Sequence, residues 1–157
     1  EEQIIPQPIA WLVNRYPWFR RHPHPMTVHF PIVFVFSTTF FNILYVVTGI
    51  KAFELTAIHC LAGGILFSIV GITTGIYTWW LNYMAKPLKA VKIKLPLTII
   101  MFITEVIIFV WRIRQPNILD SATAASVIYF LLVLALVPMI TVIGWYGASM
   151  TFPVEKH

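Results

Sequence analysis

The residues of this chain with chemistry to offer are five histidines, one glutamate inside an apolar run and two methionines in apolar runs. The histidines are His22, His24, His29, His59 and His157. Imidazole is the usual axial ligand of haem iron in a helix bundle, so His29 and His59 are candidate ligands for a haem b. His24, His22, Met139 and Met101 are the candidates for a second ligand on the His29 side. On the His59 side the chain offers no second His or Met, so an iron there needs a partner subunit or stays five-coordinate. Gly63 follows His59 by one turn, where a porphyrin could approach the backbone. Gly64, Ser68, Gly71 and Gly75 continue a small-residue face that equally suits helix packing. His22, His24, Met26 and His29 also place imidazole and thioether groups close together, a set that suits copper. His157 is terminal and uninformative.

His29 and His59 do not share one iron. A turn near Lys51 between antiparallel helices sets His29 level with about residue 73. At about 1.5 Å per residue this leaves roughly 20 Å of depth between the two imidazoles. Two ligated irons would then lie near opposite faces of a membrane.

Glu105 stands about ten residues inside an apolar stretch. An acidic side chain at the centre of a bilayer costs about 2.5–3.5 kcal/mol on insertion scales. It must be neutral, paired or turned to a polar cavity, and Thr73, Thr74 and Thr141 are its candidate partners. The functional reading is proton uptake coupled to quinone chemistry. The structural reading is a hydrogen bond to a neighbouring helix or another subunit.

The elements that position these groups follow from composition. Of 157 residues, 59% are hydrophobic and 11% charged, with mean hydropathy +0.81. A soluble domain carries about 25% charged residues to cover its surface. Lipid must therefore be the solvent, and four stretches are long enough to cross it. They predict helices over 27–48, 53–80, 95–111 and 123–146. Short connections make neighbours antiparallel. Residues 1–25 hold Trp11, Trp18 and Phe19 among Arg15, Arg20 and Arg21, an interfacial segment ahead of a transmembrane domain over 26–157. The expected fold is all-α, an integral membrane four-helix bundle.

The net charge of +5 does not point to nucleic acid, because the cations sit between apolar runs. One side gathers Arg15, Arg20, Arg21, Lys86, Lys89, Lys92, Lys94 and Lys156; the other has Lys51, Arg112 and Arg114. The rule that cations stay inside makes the lysine-rich side cytoplasmic, with both termini there. A single cysteine, Cys60, excludes an internal disulfide.

The run His22-Pro23-His24-Pro25-Met26-Thr27-Val28-His29-Phe30-Pro31-Ile32 resembles the opening of a four-helix bacterial membrane family, domain of unknown function twenty-two thirty-one. Gly71-Ile72-Thr73-Thr74-Gly75 and Gly144-Trp145-Tyr146-Gly147 are similar to its second and last helices. The resemblance spans Pro23 to about Phe152. It implies haem binding and membrane electron transfer. It also implies a His at the start of the third helix, where this chain reads Lys92-Ile93-Lys94-Leu95-Pro96.

No phosphate loop, nucleotide fingerprint, cysteine cluster or serine triad is present. The expected function is a b-type cytochrome-like subunit of a bacterial or archaeal cytoplasmic membrane. It would pass electrons between a quinone pool and other membrane or peripheral redox subunits. The alternative is a non-haem anchor or scaffold subunit of a larger membrane complex. In both readings the chain is more naturally a non-catalytic subunit than an enzyme, and its surroundings are the lipid bilayer.

Overall fold

A computed structural model describes residues 5–20 and 23–151. The expected roles of His22 and His157, and the cations Arg21 and Lys156, lie outside the described residues. Helix α1 spans Gln7–Arg15, a 3₁₀ turn follows over Pro17–Arg20, and α2 spans Pro23–Thr27. The long helices are α3 (His29–Thr48), α4 (Lys51–Tyr83), α5 (Lys89–Arg114) and α6 (Ala124–Thr151). No strand occurs among the described residues.

α2 runs almost directly into α3, and together they form one apolar span, Pro23–Thr48. Pro31 has no N–H to give to the carbonyl of Thr27, which explains a joint near Val28. The chain crosses that joint in helical conformation, with Val28 N–H donating to His24 O at 3.1 Å. α3 stops at Gly49, whose φ of 71° is left-handed and whose N–H closes on Tyr45 O at 2.7 Å. α6 starts at a reciprocal cap: Thr123 N–H donates to Ser126 Oγ, and Ser126 N–H to Thr123 Oγ1.

α4 and α5 extend past both ends of the ranges expected from apolar runs, and α6 past its C-terminal end. α4 has 33 residues and is about 50 Å long, more than the roughly 30 Å of hydrocarbon it must cross. Counting apolar residues stops at the first charge, whereas backbone hydrogen bonding continues into the headgroup layer. Lys51, Lys89, Lys92, Arg112 and Arg114 are therefore helical.

The bundle core is formed by Val35, Leu61, Met101, Ile108, Tyr129, Val133, Leu136 and Ile140. Outward faces are equally apolar: Val33, Phe40, Val47, Leu66, Ile100, Ile103 and Leu131 are all at least half exposed. That pattern suits lipid rather than water as the surrounding phase. The four long helices make the chain a multi-pass membrane protein.

Ionic contacts fasten the end of the bundle that carries the α3–α4 and α5–α6 connections. Arg112 Nε of α5 meets Glu54 Oε1 of α4 at 2.7 Å, and both residues are buried. Lys51 reaches Glu54 at 2.5 Å and Asp120 at 2.6 Å. Tyr45 of α3 donates to Asp120 at 2.5 Å. Hydrogen bonds from Lys51 and Tyr45 hold the Asp120 carboxyl below the usual carboxylate range. Removing one member of a buried pair strands its partner, at a cost of about 3–5 kcal/mol. Glu54→Ala should therefore lower the thermal unfolding midpoint sharply, and Glu54→Ala with Arg112→Ala should cost less than the two single changes summed. Additive losses in that cycle would show that the pair is not coupled.

Candidate functional site

The seam between α4 and α5 carries polar groups at three depths. Contacts across the bundle fix the register. Thr27 meets Thr74 at 2.9 Å, the Phe30 and Phe67 rings stack at 4.6 Å, and Phe41 stacks on Phe53 at 6.2 Å. On this register His29 lies level with about residue 70. His59 is then some eleven residues away along α4, roughly 16 Å in depth.

At the end near the α4–α5 connection, His24 turns inward from α2. Its Nδ1 lies 3.3 Å from Thr74 Oγ1, and its Nε2 lies 3.2 Å from Lys94 Nζ. An ammonium can only donate, so Nε2 accepts and Nδ1 carries the hydrogen that goes to Thr74; this tautomer is assigned from the partners. Glycine makes the arrangement possible. A Cβ on Gly75 would stand 3.0 Å from His24 Cε1, and one on Gly147 of α6 would stand 3.3 Å from Lys94 Nζ. The position where the family resemblance implies a His thus holds a lysine that reaches a histidine from another helix.

At mid-depth, Glu105 of α5 is wholly buried. It faces Gly64, where a Cβ would stand 3.7 Å from Glu105 Oε1, and the buried Ser68 hydroxyl lies beside it. Ser68 is its hydrogen-bonding neighbour, and no Lys or Arg among the described residues forms an ion pair with it. The threonines expected to bond it are committed elsewhere. Thr73 and Thr141 are exposed and bonded to their own helices at Ile69 O and Val137 O, and Thr74 belongs to the His24 cluster. The third depth is the Glu54–Arg112 ion pair.

The other expected site residues are dispersed. His29 and His59 are exposed on outward faces of α3 and α4. Gly63 is covered by Phe34, whose Cε1 would be 2.9 Å from an added Cβ, so a porphyrin edge there would have to displace that ring. Met101 is buried in the core, and Met139 packs against it. Met26 is exposed, apart from the inward His24. No three His, Cys, Asp or Glu side chains gather into a metal-holding group among the described residues. The interior of one chain therefore does not fit a haem b: its two expected ligands are far apart and turned outward, and both ring nitrogens of His24 are engaged.

Residues 21–157 match a protein family described as Predicted membrane protein (DUF2231). The chain belongs to this family. No curated protein and no solved structure matches it. For this DUF2231 chain, membership covers all four spanning helices and includes the histidine–proline opening that carried the resemblance.

Sequence reasoning missed Glu54 and the inward role of Lys94, which it took for a topology signal. A turn near residue 85 already places Glu54 and Arg112 toward the same end of antiparallel helices. An acid and a base at one depth of two adjacent spans was the available signal. The His24 cluster is testable through its hinge. Thr74→Val leaves the His24 Nδ1–H and the Thr27 hydroxyl without their shared partner, which should cost about 1–3 kcal/mol in thermal or denaturant unfolding. An unchanged midpoint would show that the cluster does not hold α2 to α4.

Proposed function

We propose that the chain is the membrane subunit of a larger electron-transfer assembly, in which its own contribution is a proton-exchanging carboxyl. The observation that carries this reading is Glu105, wholly buried at mid-depth with no ion-pair partner among the described residues, facing Ser68 and Gly64. Ionisable residues inside a membrane face bundle interiors and mark proton or ion pathways by default. Glu54 is ion-paired with Lys51 and Arg112, whereas no described cation pairs with Glu105. A quinone reduced in the assembly needs protons as well as electrons, and in this reading Glu105 takes up and releases one.

A second reading rests on His29 and His59. Their imidazoles face outward at two depths, so a haem b in the assembly would lie between this chain and a neighbour. The scaffold reading is what remains when neither proton nor electron transfer involves the chain. In all of these readings the lysine-rich end is cytoplasmic. A reporter fused after His157 should be active only in its cytoplasmic form, and periplasmic activity would reverse the orientation.

The discriminating experiment is performed on the intact membrane assembly. Glu105→Gln should slow quinone-linked turnover at least tenfold, about 1.4 kcal/mol of barrier, while leaving subunit composition and visible spectrum unchanged. Normal turnover in Glu105→Gln would remove the proton role. A wild-type assembly without haem absorbance would remove the interface-haem reading and leave the proton reading standing.

A further inference from the structure

Among the described residues, the ion-paired acids lie at one end of the bundle, and the other end carries cations without an acid. Each of the three described ion pairs lies at the Glu54–Asp120 end. The opposite end gathers Arg20, Lys86, Lys89, Lys92 and Lys94, held together by contacts across the elements: Asn82 donates to Arg20 O at 2.7 Å, and Trp79 Nε1 donates to Lys86 O at 2.8 Å. The described acids are Glu54, Glu105 and Asp120. Two of them belong to the far end, and Glu105 is eleven residues from Lys94 along α5, about 16 Å away.

Lys94 differs from its neighbours. Lys86, Lys89 and Lys92 are exposed, whereas Lys94 is partly buried where α2, α4, α5 and α6 converge. Its hydrogen bond to His24 is made to a neutral acceptor. That bond orients the ammonium, and no acid among the described residues pairs with it. A fixed cation in a low-dielectric setting requires an anion nearby. The surrounding aromatics Trp18, Trp79, Trp80 and Tyr83 mark the headgroup level of the bilayer, and the anions at that level are lipid phosphates.

We propose that Lys94, oriented by His24 at the meeting of α2, α4, α5 and α6, binds the phosphate of an anionic phospholipid headgroup, with the exposed lysines at the start of α5 enlarging the attractive field. The bound lipid supplies a counter-charge that the described residues do not offer at this end. The site is independent of the proton reading of Glu105.

The test uses the full chain purified in a neutral detergent and stripped of lipid. Phosphatidylglycerol added in mixed micelles should raise the thermal unfolding midpoint, and phosphatidylcholine at the same concentration should not. Inorganic phosphate should not reproduce the shift. Lys94→Gln should weaken the phosphatidylglycerol response about fivefold, the effect of one lysine near a charged bilayer surface. Lys92→Gln removes the same charge from an exposed position and should leave most of the response. Equal shifts from both lipids, a full shift from inorganic phosphate, or equal loss in the two lysine variants would each overturn the assignment. Should Lys94→Gln be too unstable to purify, native mass spectrometry of the wild type decides: retention of phosphatidylglycerol over phosphatidylcholine supports the site, and indifferent retention removes it.

Discussion

Glu54 and Arg112 meet where lipid can solvate neither, and the rest of the bundle is arranged around that pairing. Hydrocarbon offers no hydrogen bonds, so a charge carried into a spanning helix must find its partner within the protein or at its surface. The 2.7 Å contact fixes α5 against α4 at one end. The depth of every other residue on the seam follows from it. Seven residues along α5 from Arg112, Glu105 comes to face Gly64 and Ser68. Eleven residues further, Lys94 comes to face His24. Lys51, Asp120 and Tyr45 extend the clamp to α3 and to the α5–α6 connection.

Three solutions to the problem of polarity in lipid thus appear along one seam. At the Glu54 end both described acids are ion-paired and several helices are joined. At the Lys94 end an imidazole accepts from the ammonium, and no described acid pairs with it. Glu105 lies between them beside Ser68, with no ion-pair partner among the described residues. The proposed protonic role rests on that burial of an acid without an ion-pair partner among the described residues.

The four spans were legible in the sequence, because charges interrupt the apolar runs and each span is bounded by them. The small-residue face of α4 was also legible: Gly71 carries Pro31, Gly75 carries His24, and Gly64 carries Phe34 and Glu105. The separation of His29 from His59 followed from antiparallel register alone. Rotation of each helix about its axis was much less legible. In water an apolar stripe marks the inner face, but lipid-facing and core-facing residues here are equally apolar, so Val33 and Val35 look alike in sequence while one is exposed and the other buried. The outward direction of His29 and His59, the Phe34 ring over Gly63 and the inward reach of Lys94 all depend on that rotation. His24 and His29 are five residues apart along a nearly continuous helix, which sets them on different faces.

The central claim is that Glu105 exchanges a proton during the redox cycle of its assembly. The most direct measurement is a reduced-minus-oxidised infrared difference spectrum of the intact membrane assembly, recorded in H₂O and D₂O for wild type and Glu105→Gln. The account predicts a carboxyl band in the wild type that shifts in D₂O and is missing from Glu105→Gln. Identical carboxyl regions in the two proteins would contradict it and leave Glu105 as a packing residue of the α4–α5 interface.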